Sequence, residues 1–146
     1  MDKHNLTAKA DVSIAASPER VWRALTEPAA IKTYMFGAHV DTDWHVGSTI
    51  TWSGEMKGKK YEDKGEILSF EAERELAYSH FSPLSGKPDR PENYHNVTIR
   101  LVKEKDGTHV ELSQDNNPDE KSKTESAKNW RAMLDGLKQF AEGRKH

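Results

Sequence analysis

The chain has 146 residues, of which 22 are basic and 24 acidic, for a formal charge of −2, and it has no cysteine. That is the length of one ordinary domain, residues 1–146, with enough chain for a real core, and the missing thiol excludes disulfides, thiolate nucleophiles and zinc sites built on Cys. There is no polybasic run, no apolar leader and no apolar stretch near the roughly 18 residues of a membrane span, so no nucleic-acid or membrane partner is expected and the location expected is cytoplasmic.

Residues Ala8 to Ile14 alternate, with Ala10, Val12 and Ile14 on one face, which predicts a half-buried strand. Ser17-Pro18-Glu19 then places a capping hydroxyl, a first-turn proline and an acidic residue at the start of a short helix reaching Leu25. Pro28 opens a second short helix to Tyr34, and Gly37 ends it. From there to Asn116 the period is two. Strands are predicted over Ala38 to Asp41, Ser48 to Ser53, Lys59 to Phe70, Leu76 to Phe81, Tyr94 to Val102 and Thr108 to Gln114. Gly47, Gly54, Gly58 and Asp106-Gly107 mark turns, the last a hairpin signal. Ser82 to Asn93, with Pro83, Gly86, Pro88 and Pro91, is the longest irregular piece. Finally, from Pro118 to Glu142, apolar residues at Ala127, Trp130, Met133, Leu134, Leu137, Phe140 and Ala141 follow steps of three and four. One long helix with a wide apolar stripe results, and it needs a sheet to cover.

Several segments, in order, carry a family resemblance. They are SPERVWRALTEPAAIKTYM, the glycine before Ser48-Thr49-Ile50, and Gly65-Glu66-Ile67 followed by Leu76-Ala77-Tyr78. Then come Asp106-Gly107-Thr108-His109-Val110-Glu111-Leu112 and the terminal NWRAMLDGLKQF. The set resembles the START-like superfamily (birch-pollen-allergen, SRPBCC or helix-grip fold), in the branch named after the C-terminal domain of the heat-shock-protein-90 ATPase activator. Tyr34 stands where members often carry Trp. The resemblance implies an α+β helix-grip fold: a curved antiparallel sheet of about six or seven strands around a long C-terminal helix, with two short helices after the first strand. It also implies a hollow between sheet and helix, which in this family often holds an apolar or aromatic small molecule.

Alternation names the residues that would line such a hollow. Ile50 and Trp52 share one strand face, Leu76, Tyr78 and His80 another, and Met133 descends from the helix. Trp52 and Tyr78 offer flat surfaces with a polar handle, which suits an aromatic ligand; the plainer reading is core filling. Met133 is the adaptable stripe residue expected to meet a ligand, while Trp130, Leu134 and Leu137 read as core. His80 stands just before the proline-rich loop, at the expected mouth. It is placed to bond a ligand or to act as a general base, the one catalytic candidate; against that stands a half-buried His bonded to backbone.

The remaining residues point elsewhere. His4, His39, His45, His95 and His109 are scattered without metal-ligand spacing, and His39 with Asp41 reads as solvated surface. Glu62, Asp63, Glu66, Glu71, Glu73 and Glu75 read as an outer charged ribbon and turn. A Glu66–His80 acid–base pair would need both to point inward. Trp44, in a polar loop, either caps the end of the sheet or stands exposed. No cofactor or metal is expected. Three functions are in play: binding of an apolar or aromatic small molecule, gated by Ser82 to Asn93; a co-chaperone-like contact with a protein partner in stress response; and a cyclase- or hydrolase-like enzyme using His80 or a carboxylate. Either a monomer or a homodimer is compatible with the pattern.

Overall fold

A computed structural model describes residues 6–35, 37–56, 58–82 and 86–143. Strand β1 (Leu6–Ile14) leads into helices α1 (Pro18–Thr26) and α2 (Pro28–Tyr34). Then come β2 (His39–Asp41), β3 (Thr49–Met56), β4 (Lys59–Glu71), β5 (Glu75–His80), β6 (His95–Glu104) and β7 (Gly107–Asn117), and finally α3 (Glu120–Ala141). The described strands form one antiparallel sheet in the order β1-β7-β6-β5-β4-β3-β2. From β2 to β7 it is a meander, and β1 returns to the far edge beside β7. The expected α+β helix-grip arrangement, with seven strands, is the one found.

Local chemistry fixes the helix ends. The Ser17 hydroxyl accepts from the Arg20 backbone N–H at 3.2 Å, with Pro18 in the first turn of α1. Asp119 accepts from the Ser122 N–H at 2.8 Å, so α3 begins at Glu120 rather than at Pro118. The Tyr34 hydroxyl donates to the Ala24 carbonyl at 2.9 Å and ties α2 to α1. Inside α3, Gly136 permits a close helix crossing, since a Cβ there would lie 3.2 Å from Tyr34 Cβ.

The core is continuous. Ile50 and Trp52 of β3, Ile67 of β4, Leu76 and Tyr78 of β5, and Val97, Ile99, Val110 and Leu112 of β6 and β7 meet Met133, Leu134 and Leu137 of α3. Trp130 is half-buried at the rim of that contact, not sealed within it as its place in the stripe implied. Trp44 caps the end of the core: it packs on Phe70 at 5.9 Å, and Phe70 in turn meets Trp22 edge-on at 5.2 Å.

Three expectations are corrected. Gly54 is not a turn residue; it lies within β3 opposite Tyr61, and the chain reverses at Gly58, whose φ is +80°. The β6–β7 hairpin closes on Glu104 and Gly107, so the turn residues are Lys105 and Asp106. Gly107 serves a different need, because a Cβ there would lie 2.0 Å from the Ile14 carbonyl oxygen. Asp63 does not belong to the outer ribbon. It sits opposite Trp52 on the inner face, whereas Glu62, Glu66, Glu71 and Glu73 are exposed.

Candidate functional site

The space between sheet and α3 is filled. Among the described residues there is a cavity of about 20 Å3 there, walled by Tyr34, Met35, Trp44, Trp52, Tyr78 and Met133 among others. On that measure a single water needs about 10–15 Å3, so the hollow has room for one water and no organic guest. Trp52 and Tyr78 pack with ring centroids 5.0 Å apart. Burial pushes the Tyr78 phenol up, and pushes that of Tyr34 up further. Trp52, Tyr78 and Met133, the expected ligand contacts, are thus brought together, but they fill the core against one another.

Open space does lie at the mouth. A pocket of about 320 Å3 is bordered by His80, Ser82, Lys87, Glu92, Asn93, His95, Gln114, Asn116 and Pro118. It is placed by three adjacent strands. His80 ends β5 directly opposite His95 of β6, and Gln114 of β7 pairs with Val97, two residues further along β6. Inner-face alternation therefore carries His80, His95 and Gln114 to one end of the grip.

The loop over this pocket is held by its own bonds. Asn93 Nδ2 donates to the Pro88 carbonyl at 2.8 Å. Asn116 takes a left-handed conformation (φ 61°) that asparagine tolerates, and its Nδ2 donates to the carbonyls of Glu92 and Tyr94 at 2.7 and 2.9 Å. Tyr94 stacks on Phe81 at 5.1 Å and donates its hydroxyl to Asp89 at 2.6 Å, while Asp89 pairs with Lys64. The hydrogen bond from Lys64 holds the Asp89 carboxyl below its usual range. Pro83 to Ser85 of the expected gate lie outside the described residues, as does His4.

Behind the pocket stands a His–Asp pair. His80 Nε2 lies 2.9 Å from Asp63 Oδ2, and the Trp52 ring meets His80 edge-on at 5.1 Å. The carboxylate can only accept, so Nε2 carries a proton. Among the described residues, Nδ1 of the same ring is buried without a partner, and so are Asp63 Oδ1 and Gln114 Oε1. Gln114 is only 7% exposed. Buried polar atoms are nearly always satisfied, so three orphans close to one pocket need an explanation.

Of the expected site residues, only His80 borders the open pocket. Its acidic partner is Asp63 and not Glu66, which is exposed on the other face of β4. His95, set aside with the scattered histidines, stands opposite His80, and its Nδ1 donates to the Asp115 carbonyl at 2.8 Å. Gln114 was missed altogether, although the parity of Val110 and Leu112 points it inward. His39 and Asp41 are exposed, and among the described residues no cluster of His, Asp and Glu could hold a metal ion. None of the described helices is long and apolar enough to cross a membrane.

Fold and site together define an α+β helix-grip protein with a filled core and a polar pocket at its mouth. The chain belongs to the family of the activator of Hsp90 ATPase homolog 1-like protein, whose model matches residues 15–142, and so to the START-like superfamily. Among proteins of curated function, none matches. The solution structure of ChR145 from Cytophaga hutchinsonii is similar at 56% identity and a TM-score of 0.83, over 95% of both chains. Protein MLL2253 from Mesorhizobium loti shares the fold at 21% identity and a TM-score of 0.77, over 97% of this chain and 100% of that one. So does the Aha1 dimer from Colwellia psychrerythraea, at 19% identity and a TM-score of 0.75, over 97% and 99%.

Proposed function

We propose that the chain is a small-molecule-binding protein whose ligand seats in the polar pocket at the mouth of the grip. One observation carries this reading: polar side chains of three neighbouring strands, His80, His95 and Gln114, line one pocket of about 320 Å3. His80 is then the ligand contact, positioned by Asp63. Trp52 and Tyr78 back it, and Met133 belongs to the wall behind; an apolar guest would reach these three only by displacing packed side chains. A thermal-shift and Trp-fluorescence screen of polar and apolar metabolites tests the reading. Polar compounds should raise Tm in the native protein and not in His80→Ala. No response to any compound sinks it.

The filled hollow also favours a second reading, a protein contact related to that of the Hsp90 ATPase activator, because a grip with no room for an apolar guest leaves the outer surface as the working part. A chaperone ATPase assay with added protein decides it. A rate unchanged at saturating protein removes this role.

A further inference from the structure

We infer that the groove between α1 and the end of α3 is a docking site for an acidic segment of a partner protein, with carboxylates set around an apolar side chain. The groove has a volume of about 320 Å3 and shares no lining residue with the mouth pocket. It depends neither on a ligand in that pocket nor on a chaperone ATPase, so its failure leaves both readings standing.

The apolar half of the groove comes from α3. Met133, Leu134, Leu137 and Ala141 of its stripe are buried, but Phe140 is 39% exposed and meets Tyr34 only at a ring distance of 6.3 Å. Beside Phe140 the small buried side chains of Ala24 and Ala141 give the groove an apolar floor. An apolar side chain laid there would cover the Phe140 ring.

The charged half comes from α1. Arg20 and Arg23 are exposed, border the groove and stand one helical turn apart, and among the described residues neither guanidinium has an acidic partner. The C-terminal end of α3 draws the Arg20 fork over Gly143, where a Cβ would lie 2.8 Å from Nη2. Glu142 does not neutralise it. That carboxylate accepts from the Ala15 N–H at 2.8 Å and from Lys138 at 2.7 Å, and its side chain is only 6% exposed. Each arginine fork can take a carboxylate through two hydrogen bonds. Residues three apart on a helix have Cβ atoms about 5–6 Å apart, a spacing that acidic residues one turn apart on a partner helix match. Glu27 borders the same groove and opposes a uniformly negative surface. A bilayer calls for a cluster of four to eight cations and a nucleic acid for a basic stripe, and this groove has neither.

The test titrates the whole 15N-labelled chain with the capped peptide EEFEEL, its uncharged form QQFQQL and its form without apolar side chains, EESEES. At millimolar concentration EEFEEL should shift the Nε–H signals of Arg20 and Arg23 and the Phe140 amide. It should bind about tenfold tighter than either control, the scale of two exposed ion pairs or one covered apolar side chain. Arg20→Gln combined with Arg23→Gln should leave Tm unchanged and erase the advantage of EEFEEL over QQFQQL. Arg100→Gln should keep it, because that guanidinium already pairs with Glu75 at 2.9 Å. Equal binding of EEFEEL and QQFQQL overturns the acidic assignment, and equal binding of EEFEEL and EESEES overturns the apolar one. Shifts of the same signals on concentrating the protein alone give the groove to a second copy of the chain. Stronger binding to phosphatidylserine–phosphatidylcholine vesicles than to EEFEEL gives it to a membrane. No shift at Arg20, Arg23 or Phe140 with any peptide overturns the site itself.

Discussion

At the residue scale the informative unit is Asp63 with His80. The two side chains are 17% and 25% exposed, so water screens their hydrogen bond only in part. Removing the acceptor strands a mostly buried N–H, whereas an amide of the same shape can still accept. Asp63→Ala should therefore lower stability by about 1–3 kcal/mol and Asp63→Asn by clearly less, read from urea denaturation midpoints. Equal losses would mean that the carboxylate charge, and not the hydrogen bond, holds the ring. His80 was legible in the sequence because strand alternation puts it on the face of Leu76 and Tyr78. Asp63 follows the same rule, two residues from Gly65 and four from Ile67, yet its charge argued for the outside. Gln114 and His95 were hidden for a like reason: each shares the parity of buried apolar residues on its strand, but its polar side chain argued for the outside.

At the scale of elements the periodic pattern located the seven strands and three α-helices, because each buries one face and leaves the other in water, but not the 3-10 turn Pro91–Asn93. What the pattern could not convey is where strands press together. Gly65 is the sharpest instance. A Cβ there would lie 1.7 Å from the Ser79 carbonyl oxygen, inside any van der Waals contact, so β4 must pass this point bare for β5 to keep its path. Nearby, the Ser79 hydroxyl accepts from the Glu66 N–H at 2.9 Å, and Lys64 bridges to Phe81. Gly65→Ala should accordingly cost at least about 2 kcal/mol, since the clash is with backbone and no side chain can swing away. It should also move the ring resonances of His80, which follows Ser79 directly. A variant of full stability with an unchanged His80 spectrum would show that the two strands can part freely. Gly107 obeys the same logic against Ile14, and no single-sequence signal separates such a glycine from a turn glycine.

For the whole molecule the open question is whether the grip ever opens, and the buried tyrosines report on it. Tyr34 and Tyr78 both wall the small cavity, and burial raises both phenols far above their ordinary value near 10. A raised native pKa stabilises the fold below the unfolded pKa, and that contribution is lost as pH climbs toward the native one, because only the unfolded chain can then release the proton. Below about pH 10 these groups add no pH dependence. Above it, each should reduce stability by about 1.4 kcal/mol per pH unit, and the pair by about 2.7. Urea midpoints from pH 8 upward should bend downward near pH 10, and Tyr78→Phe should lower the slope by about 1.4 kcal/mol per pH unit. The phenolate absorbance gives the complementary reading. If the hollow stays shut, only Tyr61 and Tyr94 of the four tyrosines ionise while the protein remains folded. Should all four ionise with the fold still intact, the core admits solvent in the native state, and an apolar guest between sheet and helix becomes feasible again. A closed core instead leaves the proposed ligand only the open pocket at the mouth, beside His80, His95 and Gln114.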